Sequence, residues 1–182
     1  NADILRYDEV TANPGNRCYF CKKRIMGAIR AAAVADGYET MIDGTNASDE
    51  CGDRPGMKVL EEQHILSPLR ICGLTKSDVR RLSKEAGLFT WDKPAYACLA
   101  TRIPAGEKIT AEKLKAIEES EAVLFAMGFS DFRVRLHDGG ALLQFTEEQQ
   151  RRAQEMLGEI TTELLKHFET IKIDLKAREK SK

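Results

Sequence analysis

The stretch FRVRLHDGGALLQF, residues 132–145, decides the fold of the C-terminal part of this chain. Apolar and basic residues alternate in FRVRL, which is typical of a β-strand with one buried face. Asp138-Gly139-Gly140 predicts a tight hairpin turn, and ALLQF predicts the returning strand. The pattern therefore predicts a β-hairpin in which the side chains of Arg133 and Arg135 lie on the same face.

The segment after the hairpin extends it to a small domain. Thr146 is predicted to cap a long helix that reaches about His167, and residues 170–175 (TIKIDL) predict a last strand. We therefore expect a ββαβ domain over residues 108–176, with a substrate or oligomerisation role, and a frayed charged tail over residues 177–182.

Residues 1–107 alternate between helix-like and strand-like stretches, which favours an α/β domain. Apolar residues at helical spacing predict a helix over residues 16–36. Short strands are predicted at residues 38–42 and 65–69. The polar loop of residues 43–49 would then lie at the carboxyl end of the first strand, where open α/β sheets bind ligands.

The charge balance limits the classes of function. The 28 Lys and Arg residues against 29 Asp and Glu give a net charge of -1, so no overall positive field attracts nucleic acid or an anionic membrane. No apolar run approaches the roughly 18 residues of a membrane span, and the first residues lack an apolar signal region. We therefore expect a cytoplasmic protein with no membrane partner, and nucleic acid is disfavoured as a partner.

The cysteines carry the strongest functional signal, because an odd number of thiols in a cytoplasmic protein favours metal or redox chemistry over disulfides. Cys18 and Cys21 would face the same way in a first helical turn, where the helix dipole and neighbouring basic residues favour thiolates. With the distant Cys98 they suit a [4Fe-4S] cluster with one open iron. C-x-x-C also occurs in zinc and dithiol sites, or as two buried cysteines. Cys51 and Cys72 are interpreted as bystanders.

Four segments, in this order and spacing, resemble a known family: NPGNRCYFCKK (13–23), MIDGTNASDECGDRPGMKVL (41–60), SPLRICGLTKSDVRRLSKEAGL (67–88) and TWDKPAYACLATRIP (90–104). They are similar to the LarE-type ATP-dependent sacrificial sulfur transferases of nickel-pincer nucleotide biosynthesis, which serves lactate racemase maturation. That family belongs to the PP-loop ATP pyrophosphatases. The resemblance implies that residues 1–107 form part of a Rossmann-like parallel-sheet domain of the adenine nucleotide alpha hydrolase type.

The resemblance also implies the chemistry. The family uses ATP with Mg²⁺ to adenylate a carboxylate of a pyridinium biscarboxylate mononucleotide, and then replaces the activated oxygen with sulfur. In one branch the sulfur comes from the enzyme's own cysteine at the position of Cys98, which leaves dehydroalanine. In the other branch three cysteines, matching Cys18, Cys21 and Cys98, hold a [4Fe-4S] cluster that carries a further sulfide. This chain has all three and resembles the second branch.

Further site residues are implied by position. The nucleotide pocket would be lined by one loop, which could instead be an Asx-rich turn without a ligand: Asp43, Gly44, Thr45, Asn46 and Asp49. Five charged residues would contact the thiolates, the substrate or the substrate phosphate: Lys22, Arg102, Glu121, Arg133 and Arg135. They could instead be ordinary surface charges. The family's phosphate-binding arginines lie at a subunit interface, so a homo-oligomer with a small nucleotide-like substrate is implied.

One motif of the family is missing. The SGGxDS phosphate loop does not occur in the sequence, and no G-x-x-x-x-G-K-[ST] replaces it. We therefore expect this sequence to be the later part of a longer enzyme, and this chain alone to be inactive. Two alternatives stay open: a tRNA thiolase of the same superfamily, and a non-catalytic binding module stabilised by zinc.

Overall fold

The computed structural model describes residues 2–49 and 55–179. The chain divides into two compact units, Asn1–Lys93 and Pro94–Lys182. This division falls earlier than the predicted boundary after residue 107, because the intervening segment packs on the C-terminal unit, where Ile103 joins the hydrophobic core. Among the described residues, no helix has the length and apolar character needed to cross a membrane.

The described part of the N-terminal unit is built from α-helices: α1 Asp8–Thr11, α2 Arg17–Ala35, α3 Pro55–Glu62, α4 Pro68–Ile71 and α5 Lys76–Glu85. Helix α2 confirms the helix predicted over residues 16–36. It ends where Gly37 adopts a φ of 82°, a left-handed conformation that glycine adopts without strain. Helix α5 begins at a capping box, in which Thr75 and Asp78 exchange side-chain and backbone hydrogen bonds.

The two strands predicted in this unit are shorter than expected. Within its described residues they amount to one parallel bridge between Ile42 and Leu66. The Leu66 N–H donates to the Met41 carbonyl at 3.0 Å, and the Asp43 N–H donates to the Leu66 carbonyl at 2.9 Å. The parallel direction agrees with the predicted sheet.

The C-terminal unit contains helix α6 Ala111–Ala126 and a three-stranded sheet in the order β1-β2-β3. Strand β1 (Arg133–His137) pairs antiparallel with β2 (Gly140–Gln144), and β2 pairs parallel with β3 (Ile171–Ile173). This arrangement confirms the predicted order of two strands, a helical segment and a third strand. The prediction of a single long helix after Thr146 is wrong, because the segment forms two helices, α7 Glu147–Glu155 and α8 Leu157–Leu164. Gly158, beside the break, has low helix propensity.

The hairpin turn is as tight as its sequence predicts. Asp138 and Gly139 have φ values of 49° and 75°, which is the type I′ geometry that matches the twist of paired strands. The next residue, Gly140, allows β3 to approach, since a Cβ there would overlap the Thr170 hydroxyl and lie 2.6 Å from the Thr170 carbonyl oxygen. The hairpin, α6 and α8 then enclose one apolar core that includes Ile117, Leu124, Phe129, Phe132, Val134, Leu143, Phe145 and Ile160.

Among the described residues of the predicted tail, 177–179, Arg178 is attached to the rest of the unit. The Arg178 backbone N–H donates to the Phe145 carbonyl at 2.9 Å, in a parallel bridge to Thr146. The Arg178 guanidinium also donates to the carboxylate of Asp131. The first residues of the predicted tail are therefore held on the sheet through a side chain whose partner is distant in sequence.

Candidate functional site

The first turn of α2 presents two of the predicted cysteines. Cys18 is an exposed thiol and Cys21 is a half-buried one. A guanidinium N–H of Arg17 donates to the Cys18 sulfur at 3.6 Å, and another donates to the Asn13 side-chain oxygen at 2.7 Å. The bond to Asn13 holds the guanidinium in place, so this turn has an ordered basic group beside its first thiol.

Lys22 follows these cysteines and lies near the polar loop. Gly56, in the first turn of α3, faces it closely, because a Cβ there would lie 3.4 Å from Lys22 Cδ and 3.5 Å from the Cys18 carbonyl oxygen. The Lys22 charge also helps to lower the pKa of Asp43. The cysteine turn and the start of the loop thus belong to one neighbourhood of the N-terminal unit.

The loop itself is organised around the carboxylate of Asp43. The hydroxyls of Ser67 and Thr45 each donate to it at 2.6 Å, and the Thr45 N–H donates at 3.2 Å. Burial alone would raise the pKa of Asp43, but these hydrogen bonds and the Lys22 charge hold it below its ordinary value. Asp43 is therefore an ionised group in a prearranged position.

The rest of the loop closes on itself. The Asn46 N–H donates to the Asp49 carboxylate at 3.0 Å, and the Ser48 N–H donates to the Asn46 side-chain oxygen at 2.9 Å. This is the geometry of the Asx-rich turn considered as the alternative to a ligand pocket. Gly44 has open space around its Cα, so a ligand could approach the backbone there.

In the C-terminal unit, Cys98 lies where an irregular segment meets a short helical turn. It is an exposed thiol at the N-cap of a 3-10 helix, Leu99–Arg102. The Cys98 carbonyl accepts from the Thr101 N–H at 2.9 Å and from the Thr101 hydroxyl at 2.7 Å. The backbone at Cys98 is therefore fixed while the sulfur is exposed to solvent.

Arg102 and Glu121 form a buried ion pair behind this segment. Each is 1% exposed, and Arg102 Nε donates to one Glu121 oxygen at 2.8 Å. That oxygen also accepts from the Val134 N–H at 3.0 Å, and the Tyr96 hydroxyl donates to the other. Removing one partner of such a pair leaves an uncompensated buried charge, which typically costs about 3–5 kcal/mol. Both side chains are buried, so neither presents its charge at the protein surface.

Arg133 is buried and Arg135 is half-buried, which differs from an ordinary charged surface. Arg133 is 7% exposed and donates to the carbonyls of Phe132 and Ala95 at 2.6 and 3.1 Å. Arg135 is half-buried and donates to the Gln144 side chain at 2.7 Å and to the Thr101 carbonyl at 2.8 Å. Their guanidiniums thus hold backbone that surrounds Cys98.

Arg102 and Arg178 lie close enough to Arg133 and Arg135 for their positive charges to act on them. Burial lowers the pKa of both Arg133 and Arg135, and the nearby charges of Arg102 and Arg178 lower it further. The carboxylates of Glu121 and Asp131 oppose this effect for Arg133. A cluster with more arginines than carboxylates suits an anion such as a phosphate.

The structure therefore brings the predicted residues into two groups. The N-terminal unit holds Cys18, Cys21, Lys22 and the loop that begins at Asp43, and the C-terminal unit holds Cys98 with the four charged residues beside it. Within the described part of each unit, no three His, Cys, Asp or Glu side chains group as metal ligands would. The three-cysteine set stays a prediction, and Cys51 lies outside the described residues.

The sequence-based predictions missed several partners in these two groups. Ser67 begins one of the family-like segments and Arg178 lies in the charged tail, but the sequence does not indicate their contacts with Asp43 and Asp131. The hydroxyl of Tyr96 also binds Glu121, a contact that the sequence does not indicate. Arg17, in contrast, is one of the basic residues expected to favour the thiolates, and its guanidinium does contact the Cys18 sulfur.

Comparison with known proteins supports the resemblance. No protein-family model matches the chain. An uncharacterized protein of Synechocystis is 42% identical over 139 residues, which cover 76% of this chain and 52% of that protein. The pyridinium-3,5-bisthiocarboxylic acid mononucleotide synthase of Lactiplantibacillus plantarum is 31% identical over 145 residues, 80% of this chain and 52% of the synthase. An uncharacterized protein of Methanocaldococcus jannaschii is 31% identical over 148 residues, 81% of this chain and 58% of that protein.

The chain spans about half the length of the curated relatives that it matches. It is thus similar, over most of its own length, to a synthase whose name describes a pyridinium mononucleotide with two thiocarboxylates. That name agrees with the chemistry that the family resemblance implies.

Proposed function

We propose that the protein containing this chain is a LarE-type, ATP-dependent sulfur transferase, which converts a carboxylate of a pyridinium biscarboxylate mononucleotide into a thiocarboxylate. The observation that carries the proposal is the 31% identity with the Lactiplantibacillus plantarum synthase over 80% of this chain. The proposal includes a Rossmann-like PP-loop fold for the N-terminal unit. The parallel bridge between Ile42 and Leu66 supports it.

The proposed reaction has two steps. A substrate carboxylate oxygen attacks the α-phosphorus of ATP, so that pyrophosphate leaves and an acyl adenylate forms. A sulfur nucleophile then attacks the carboxyl carbon, and AMP leaves with the original oxygen. Adenylation is needed because a free carboxylate is a poor electrophile, and Mg²⁺ would neutralise charge on the phosphates of ATP.

The chain's own residues would bind the two charged reactants. The loop that begins at Asp43 would line the nucleotide pocket, with open space at Gly44 and the positive charge of Lys22 nearby. Arg133 and Arg135 would bind the substrate phosphate, since the arginine cluster around them has an excess of positive charge. A homo-oligomer is part of this proposal.

The sulfur chemistry is assigned to the cysteines. Cys18, Cys21 and Cys98 are thiols in the structure, and the exposure of Cys18 and Cys98 fits their use as ligands. A [4Fe-4S] cluster held by the three would supply an open iron site that carries sulfide for transfer. Without a cluster, the sulfur would come from Cys98 itself: its Cβ–S bond would break, the Cα proton would leave, and dehydroalanine would stay behind.

The intact protein tests the proposal when it is incubated with ATP, Mg²⁺ and pyridinium-3,5-biscarboxylic acid mononucleotide. We expect substrate-dependent release of pyrophosphate and a thiocarboxylate product detectable by mass spectrometry. Cys98→Ala should still release pyrophosphate but form no thiocarboxylate, because adenylation does not need the sulfur. Cys72→Ala serves as the control and should behave as wild type. Pyrophosphate release that does not depend on the pyridinium substrate would contradict the proposal.

A further inference from the structure

The segment of residues 94–102, here called the Cys98 loop, is held by side chains on both sides of its cysteine. Before Cys98, the Ala95 carbonyl accepts from Arg133 at 3.1 Å. After it, the Thr101 carbonyl accepts from Arg135 at 2.8 Å. The two arginines come from neighbouring positions on the same face of β1, so one strand holds both ends of the loop.

Glu121 of α6 provides a second attachment at the same two places. One carboxylate oxygen accepts from the Tyr96 hydroxyl, two residues before Cys98, and both oxygens accept from Arg102, four residues after it. The Arg102 guanidinium also lies over the Tyr96 ring, 5.3 Å from its centroid. A single buried carboxylate thereby joins the two flanks of the loop.

The reactive side chain is not part of this network. Cys98 is exposed, while Glu121 and Arg102 are each 1% exposed. The Arg102–Glu121 pair is buried, whereas the Tyr96 side chain is 52% exposed and reaches the pair through its hydroxyl. A polar network whose members all have partners restricts the groups that it joins. Its contacts explain how a loop without regular sequence pattern can present a thiol in one position.

We infer that Tyr96 and Glu121 are positioning residues for Cys98: they hold the Cys98 loop in one conformation, so that the Cys98 sulfur is in place for the sulfur step without a preceding ordering step, whether it acts as a cluster ligand or as the attacking nucleophile. The inference rests on the proposed function for the identity of the reaction. It moves Glu121 from the predicted role of a substrate contact to that of a support behind the thiol.

A nitroxide spin label on Cys98 tests the conformational part without any need for activity. In the intact protein with Cys98 as the sole cysteine and no further substitution, we expect a spectrum that shows a largely immobile label. Tyr96→Phe, which removes only the hydroxyl, should increase the mobile fraction, and Glu121→Gln should increase it further. Tyr38→Phe and Glu118→Gln are matched controls on exposed residues and should leave the spectrum unchanged.

A label at Cys72 as sole cysteine provides an internal reference in the other unit, and circular dichroism shows that each variant is folded. Tyr96→Phe is the milder variant and keeps the test valid if Glu121→Gln fails to fold. Unchanged mobility at Cys98 in a folded Tyr96→Phe protein would overturn the inference.

The catalytic part uses the protein with its natural cysteines. We expect Tyr96→Phe to lower the kcat of thiocarboxylate formation about ten- to hundredfold, with pyrophosphate release unchanged, because misplacing a reacting atom affects only the sulfur step. A mobile Cys98 with undiminished sulfur transfer would overturn the positioning role. A wild-type protein that forms no thiocarboxylate would instead refute the proposed function, while the spin-label result would still report on the loop.

Discussion

At the scale of single residues, hydrogen bonds decide the ionisation of Asp43. Its carboxylate lies near the start of a loop, where partial burial opposes charge and the hydroxyls of Ser67 and Thr45 favour it. The favourable contacts prevail, so the pKa of Asp43 is lower in the folded protein than in the unfolded chain. Its contribution to stability is therefore fully present above the unfolded pKa of about 3.9 and is lost as the pH falls through the folded pKa.

Ser67→Ala should remove part of this contribution. Near neutral pH we expect a loss of about 1 kcal/mol in the free energy of unfolding, because one hydrogen bond to a partly exposed charged group is lost. The difference from wild type should shrink as the pH falls below about 4. Urea denaturation over this range measures it, with Ser83→Ala in α5 as a control whose effect should not depend on pH. A difference of constant size for Ser67→Ala would contradict this account.

At the scale of secondary structure elements, local patterns predicted most helices and the hairpin. The alternation in β1 and the Asp138-Gly139 turn specify a hairpin within a few residues, so no distant contact is needed to recognise it. The long helix predicted after Thr146 failed at Met156, where two helices meet. The strands predicted at residues 38–42 and 65–69 depend on partners outside a short window, and only their bridge forms among the described residues.

The close approach of β3 to the hairpin gives a test at this scale. Gly140→Ala should destabilise the protein by about 1–3 kcal/mol, because the added Cβ would collide with Thr170, whose carbonyl accepts the Ala141 N–H at 2.8 Å. Gly158→Ala is the matched control, since no atom lies within 4 Å of a Cβ there, and it should stabilise α8 by about 0.5–1 kcal/mol. Urea or thermal unfolding measures both. Equal effects would contradict the predicted collision.

At the scale of the whole molecule, the two units each contribute part of the predicted machinery. The paired cysteines and the Asp43 loop belong to the first unit, and Cys98 with its arginines belongs to the second. The chain also spans about half of the curated relatives, so activity has to be tested on the intact protein.

Metal content tests the three-cysteine proposal. After anaerobic reconstitution, the intact protein should bind about four irons per chain and show broad visible absorption. Cys98→Ala should lower the iron content markedly, because a cluster with two remaining cysteine ligands is poorly held, whereas Cys72→Ala should retain it. Iron binding that is equal after Cys98→Ala would refute the assignment. One tightly held zinc without iron would favour the alternative of a zinc-stabilised binding module.

The candidate site was predictable in part. The motifs around Cys18, Cys98 and Asp43 can be found in the sequence, because the residues that define each motif are neighbours along the chain. The position of Glu121 relative to the thiol was not predictable, since its partners Tyr96 and Val134 are brought to it only by the packing of α6 against the hairpin.

The sequence by itself determined the elements that follow from local backbone preference and periodicity: the cysteine-bearing helix α2, the hairpin with its type I′ turn, and the family resemblance. Only the tertiary structure decided which charged side chains are buried and which groups they bind. Positions 102, 133 and 178 all carry arginine, yet each guanidinium binds a different group that is distant in sequence. Arg102 binds Glu121, Arg133 binds the Ala95 carbonyl, and Arg178 binds Asp131. The physical reason is that a buried charge requires a partner, and which partner is within reach depends on the fold rather than on separation along the chain.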